Sequence, residues 1–519
     1  MSTLSELLPA GSGGKNVDFV ADGSINNAQA VALETTGKVK AISLQSQSAG
    51  TNSGQTYEGQ SVERQASVFD PTRQVLVVAY ENMNQSGYGY GKGMGPNGST
   101  GSSASYTLGN SILMAGSGAS AAEKQTEYLS GTFDSTNNFV VFCYRDGINA
   151  CRVVAGVASS FNTSFYTSYQ AISNSPATNF TTEICYDSHN QKIVIVASDL
   201  NTSSMQYVVG SIASDGSITF GTVTTGWQPS GVNAYYQNKM TFDSTNNKIC
   251  LNYTYSPSTG FGTTIAGTVS GNSITWGSPY GYSQGVPPTT NNDFALDYDP
   301  VSDSVLGVFR HMGASNYPYY VAFRYDASSN QFKDFISPTS LISSAVETGG
   351  NVGCSYSTLG QKFIIGYRIS GSYLYGRSIS ISGNTETVDS ATQIFTPSGS
   401  MEMLNIEAND VTGTLGMGSF CFKDNGLGSD GRVYAYTPSG SVTNQSSFIG
   451  IADAAISDTA TGSVTIKGGI VTNASLPTLT PNSVYYVQTD GTINTTSTSP
   501  ALRLGKALSS TSINLEFNS

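Results

Sequence analysis

The chain has 519 residues, of which 38% are apolar and only 11% charged, against about 25% charged in an ordinary soluble domain. Its net charge is −12, from 23 basic and 35 acidic residues, so no basic stripe is present to meet a phosphate backbone and nucleic acid is excluded as a partner. Ser, Thr, Asn, Gln and Gly replace the missing charges, which predicts an uncharged polar surface whose behaviour changes little with salt.

Residues 1–16, "MSTLSELLPAGSGGKN", lack a basic leader and an apolar core region. No run of about 18 apolar residues follows. The expectation is a protein made in a cytoplasm, with no membrane insertion. The segment reads as an arm whose Leu4, Leu7 and Leu8 would dock on a neighbouring protein. Residues 17–44, "VDFVADGSINNAQAVALETTGKVKAI" and its flank, show short alternating strands with "DG" and "TG" turns, too few to fold alone.

From 45 to 445 the chain repeats. Aromatic–Asp steps followed by turn residues and an apolar run occur as "VFDPTRQVLVVAY", "TFDSTNNFVVFCY", "CYDSHNQKIVIVA", "TFDSTNNKICLNY" and "DYDPVSDSVLGVF". "SYSTLGQKFIIGY" has lost the Asp, and "NIEANDVTGTLGMGSF" is degenerate. The anchors Phe69, Phe133, Tyr186, Phe242, Tyr298, Tyr356 and Ile406 are separated by 64, 53, 56, 56, 58 and 50 residues. A period near 50 residues is the signature of a propeller blade. The Asp is expected to cap an Asx-type turn, and the apolar run to be a buried second strand. Two further strands per repeat, such as "TTIAGTVS" and "SITWGSPY", complete a four-stranded blade. Residues 446–519 return to short strands with "GG" and "DG" turns. The expected fold is therefore all-β, with a seven-bladed propeller over 45–445 inserted in, or followed by, a small β-barrel or sandwich. That small domain would combine 17–44 with 446–519.

Six cysteines, Cys143, Cys151, Cys185, Cys250, Cys354 and Cys421, sit without metal spacing, mostly inside apolar strands. There a reduced Cys is a small hydrophobe. Cys143 and Cys151 could face each other across a hairpin. Two histidines and scattered thiols make no zinc site, and no metal or cofactor is expected. "GYSQG", from Gly281 to Gly285, matches a nucleophile elbow, but "VPPTTNND" after it cannot start the helix that motif needs. A glycosidase needs two facing carboxylates, and no Asp or Glu pair recurs beyond the turn aspartates.

Eleven residues past the turn Asp stand Arg145 and Arg310, and the same step from Ser357 reaches Arg368. Each follows an aromatic residue, on one face of a ring and beside the loop to the third strand. Tyr317, Tyr319, Tyr373 and Tyr375 lie in or beside those loops. Tyr and Arg on a concave face suit sugar rings, through stacking and forked hydrogen bonds.

The opening "MSTLSELLPAGSGGKNVDFVADGSI", the blade phrase ending "YRD" and the closing "FIGIADAAISDTATGSVTIKGG…YYVQTDGTINTTSTSPALRLGKALSSTSINLEF" resemble virion surface proteins of tailed bacteriophages, especially marine ones. The composite of front and back is also similar to small phage capsid-decoration domains. The resemblance implies a place on the virion surface, contacts with other virion proteins, and no catalytic residues. A tail-fibre adhesin would hold a host glycan or receptor, and fibres favour homotrimers, although no heptads or collagen-like stretch enforces one. A head-decoration or head-fibre protein would instead bind the shell through its small domain. A polysaccharide depolymerase is the lesser alternative.

Overall fold

The computed structural model describes residues 15–516 except 35, 98–100, 117, 160, 174–179, 200–203, 230–234, 256–260, 285–293, 312–315, 343–351, 370–372, 397–399, 411–415 and 497–501. Leu4, Leu7 and Leu8 lie outside the described residues. The chain divides into two compact units, Met1–Ser46 with Ser441–Ser519, and Gln47–Gly440.

In the larger unit the second strands decide the architecture. Val75–Asn82, Phe139–Arg145, Ser304–His311 and Met417–Asp424 carry apolar residues on both faces and are buried on nearly every residue. A strand with both faces apolar has to be covered on both sides. Alternation divides its residues between the two: Val75, Val77 and Ala79 join one cluster with Val140, Phe142 and Tyr144, whereas Leu76, Val78 and Tyr80 join another with Met417, Cys421 and Val433. Each sheet thus packs on a neighbour at either face. Among the described residues the unit has seven antiparallel sheets in this relation. Their first strands, Val62–Asp70, Glu127–Asp134, Phe180–Asp187, Tyr235–Asp243, Phe294–Asp299, Val352–Ser357 and Met401–Asn409, neighbour one another in that order, and the last returns to the first. The result is a closed ring, an all-β propeller.

The recurring phrase is the first hairpin of each sheet. Asp70, Asp134, Asp243 and Asp299 each accept hydrogen bonds from the backbone N–H groups two and three residues on; for Asp243 these are Thr245 at 3.0 Å and Asn246 at 2.9 Å. The residue closing the turn is left-handed in each case: Gln74, Asn138, Gln191, Asn247, Asp303 and Gln361 all have φ between 49° and 56°. The sixth hairpin, which lacks the Asp, borrows one. Ser357 Oγ accepts from Gly360 N at 3.0 Å, while Asp410 of the next sheet accepts from Ser357 Oγ at 2.6 Å and Thr358 N at 2.8 Å.

The seventh sheet corrects one assignment. Its register pairs Asn409 with Met417, as Asp70 pairs with Val75, so Ala408 and not Ile406 holds the place of Phe69. The longer turn after Asn409 hides this in the sequence. The same sheet has only three consecutive strands; the outer edge of Asp430–Thr437 is completed by Gly50–Thr51 and Gln55–Glu58 from the start of the unit. Gly54, at φ 72°, turns between these two pieces, and a Cβ there would lie 2.2 Å from the Tyr434 ring.

In the smaller unit, strands from both ends of the chain interleave in one sheet, ordered Asn16–Val20, Thr461–Ile466, Phe448–Ala452, Ala30–Leu33 and Val39–Ala41. A second sheet runs Ile470–Thr472, Ser512–Leu515, Leu502–Ala507, Val484–Val487 and Ile493–Asn494. Ala30, Ala32 and Ile451 of the first pack with Val471, Leu504 and Ile513 of the second, so the two sheets share a core.

Candidate functional site

Each first strand is the edge of its sheet at the ring axis, and its outward N–H groups have no ladder partner. Side chains of the preceding sheet supply one. The residue just before the aromatic anchor faces the next strand: Thr132 Oγ1 accepts from Tyr186 N at 3.2 Å, Asp297 Oδ2 from Tyr356 N at 2.7 Å, Ser355 Oγ from Ala408 N at 3.0 Å, and Glu407 Oε1 from Phe69 N at 3.1 Å. Thr241 Oγ1 donates instead to Asp297 Oδ1 at 3.3 Å. In the first and third sheets the position is Val68 and Cys185, one with no acceptor and one a weak acceptor. These stitches surround a central cavity of about 490 Å³, whose lining includes the turn residues Ser135, Ser188, Ser244, Pro300 and Thr358.

The cavity wall also carries Ser130, Glu183, Lys239 and Asn405. Lys239 Nζ lies 3.1 Å from Glu183, and burial pushes the Glu183 carboxyl up against that attraction. Burial likewise raises Asp297, although it accepts from two backbone N–H groups and two hydroxyls. Glu407 is pushed up to about 8, first by burial and then by the charges of Asp297 and Asp410, so it holds its proton at neutral pH. Asp297 and Glu407 are thereby committed to joining sheets. Among the described residues no group of three metal-ligating side chains converges, and no helix is long and apolar enough to cross a membrane.

Arg145, Arg310 and Arg368 occupy equivalent places, as their spacing implies, but they are 7%, 3% and 2% exposed. The register extends the set to Glu81, Ser198, Thr254 and Lys423, all buried. Several of these residues reach the neighbouring sheet: Arg368 donates to Met401 O, Lys423 Nζ lies 2.8 Å from Glu63, and Ser198 Oγ accepts from Asn238. Arg145 pairs with Glu127 and stacks on Tyr128, with its guanidinium 4.9 Å from the ring centroid, while Arg310 donates to Asn316 Oδ1 at 2.8 Å. The arginines therefore latch strands together, because a buried guanidinium needs protein acceptors.

The tyrosines stand at the starts of two third strands, Tyr317–Asp326 and Tyr373–Ser382. Tyr319 packs beside Phe309 and His311, and Tyr375 stacks on Tyr367 at 6.0 Å. Tyr373 is the open one, 38% exposed. Cys143 and Cys151 are buried free thiols with their sulfurs 3.2 Å apart. Gly281 lies in the strand Tyr280–Gln284, not on a strand-to-helix turn; Gly285 is outside the described residues.

Sequence reasoning missed the stitches and an aromatic cluster. The stitches had a visible signal, a small polar or acidic residue before most anchors. The cluster is formed by the chain's only two tryptophans. Trp227 and Trp276 stack at 4.9 Å and 21°, and Tyr207 meets both edge-on at 5.1 and 5.9 Å.

No family model matches the chain, and no curated protein matches it. Among solved structures, an Aleuria aurantia lectin in complex with Fucα1-6GlcNAc is 12% identical, covering 66% of this chain and 100% of that one at a TM-score of 0.40. A candidate 6-phosphogluconolactonase from Bacteroides uniformis is 11% identical, covering 64% of this chain and 85% of that one at 0.43. These likenesses are too distant to bear on function.

Proposed function

We propose that this protein is a non-enzymatic surface component of a tailed-bacteriophage particle, which presents its propeller to glycans on the host cell. The observation that carries the reading is the way the chain is divided. Gln47–Gly440 is one continuous insert, and the small unit is assembled from both chain ends. Insertion between the strands of another domain tethers the ring at two points and leaves no free terminus in it. That arrangement suits display on an anchor. The polar, weakly charged composition supports contact with neutral sugars, and the use of Asp297 and Glu407 as stitches supports a binding role over acid–base chemistry. In this reading the small unit meets other virion proteins, and many copies convert weak single-site binding into avidity.

Electron microscopy of particles labelled with an antibody to the propeller tests the location. Label at the tail places an adhesin there, and label over the head makes the protein a capsid decoration anchored by its small unit. Absence of label from particles overturns the virion reading. Release of soluble sugar from host polysaccharide by the purified chain would overturn the non-enzymatic one.

A further inference from the structure

Beside the tryptophan pair, the third and fourth sheets leave a groove of about 560 Å³, within the usual range for a small-ligand site. Tyr207 and Thr224 form one side; Asn272 and Ser273, in the turn between Phe261–Ser270 and Ser273–Trp276, form the other. Val209 and Ile274 are its buried apolar floor, and Thr222 stands exposed at its edge.

Four observations point to a ligand. The chain's only two tryptophans stack behind Tyr207, beside the groove, and are only partly buried. Tyr207, which lines the groove, meets both indoles edge-on at 5.1 and 5.9 Å, so its ring is held as a fixed wall. Asn272 is fixed in place: a Cβ on Gly221 would come within 2.4 Å of its carbonyl oxygen, and Lys192 Nζ donates to its Oδ1 at 3.0 Å. Its amide nitrogen is then the group left to donate outward. Among the described residues no carboxylate lines the groove.

We propose that this groove is a carbohydrate site. It takes one pyranose ring, neutral or N-acetylated, against the ring of Tyr207, which the indoles of Trp227 and Trp276 hold in place, with hydrogen bonds from Asn272, Ser273 and Thr224. An apolar sugar face suits the aromatic wall, and the ring hydroxyls suit the amide and hydroxyl rim. The proposal rests on the glycan-binding reading above and names its site.

The test uses the full chain. Methyl glycosides of glucose, galactose, mannose and N-acetylglucosamine are titrated while intrinsic fluorescence is followed, and the same sugars are presented as immobilised oligosaccharides. Because Tyr207 in the groove wall packs edge-on against both tryptophans, a saturable emission change with at least one sugar is the expected result. Tyr207→Leu, which keeps bulk and removes the stacking ring, and Asn272→Ala should each weaken that sugar by about tenfold, with thermal unfolding close to that of the parent. A sugar that binds with unaltered emission, and with equal affinity to both variants, overturns the groove and leaves the function standing. Failure of every immobilised sugar to bind overturns both.

Discussion

The fourth and seventh sheets solve the same problem with different resources. In the fourth, Tyr235–Asp243, Lys248–Tyr255, Phe261–Ser270 and Ser273–Trp276 follow one another, and Asp243 sets the first turn from two residues away. In the seventh, the first turn is long and Asn409 stands at the Asp position. The outer edge is made by pairing Tyr436 with Thr51, 385 positions apart (436 − 51). A local phrase can make a hairpin anywhere along the chain. Only the return of the last sheet to the first makes a ring, and that contact carries the loop entropy of nearly the whole unit. The seam between the seventh and first sheets is correspondingly dense: Gln65 Nε2 donates to Met403 O at 2.7 Å, Ser67 N to Asn405 Oδ1 at 3.0 Å, and Phe69 N to Glu407.

The largest effect is expected at that seam. Tyr57 is 1% exposed within the closing core and donates to Gln65. Tyr57→Ala should cost about 3–5 kcal/mol in denaturant unfolding and open Gln47–Gly440 to limited proteolysis at its ends. Equal protease resistance in the variant would show that closure does not depend on this strand.

Next comes a latch. Arg368→Met removes the donor to Met401 O and should cost about 1.5–3 kcal/mol. Glycan affinity should stay the same, because the residue is buried. A lost affinity with unchanged unfolding would return the arginines to the binding face.

The hairpin aspartate is smaller and local. Asp243→Ala should cost about 1–3 kcal/mol, since two backbone N–H groups lose their acceptor. In the sixth sheet the same function is divided between residues of two sheets, so Ser357→Ala and Asp410→Ala should be coupled by about 0.5–3 kcal/mol in a double-mutant cycle. Additive effects would show that Asp410 does not replace the missing aspartate.

The last effect is a slope and not a single loss. Glu407 has its folded value raised from 4.5 to about 8, so the folded state keeps a proton that the unfolded chain releases. Stability should fall as pH rises from about 4.5 to 8 and level off above. Glu407→Gln, whose amide oxygen can still accept from Phe69 N, should flatten that slope by a few degrees in Tm, read at pH 5.5 against pH 8.5. An unchanged slope would show that the group ionises normally.

Much of the ring was legible one repeat at a time. The Asp-turn-strand phrase placed first hairpins around Phe69, Phe133, Tyr186, Phe242, Tyr298 and Tyr356, and the apolar runs announced strands covered on both faces. The eleven-residue spacing found Arg145, Arg310 and Arg368 as equivalents, but it could not tell a face from an interior. A second-strand residue alternates between two neighbouring sheets, and whether it meets solvent or the next strand depends on that neighbour. The tryptophans were opaque for the same reason: Trp227 and Trp276 are 49 positions apart (276 − 227) and belong to different sheets.

The sequence by itself determined the all-β class, the repeat and the turn chemistry, because period-2 burial and Asx turns act over a few residues. Tertiary structure decided the rest. Ala408 took the anchor position of the last sheet, and residues 50–58 closed the ring. The arginines became latches, and two distant indoles met beside a polar groove. Each of these is a pairing between edges or faces whose partner is fixed only once the sheets have packed.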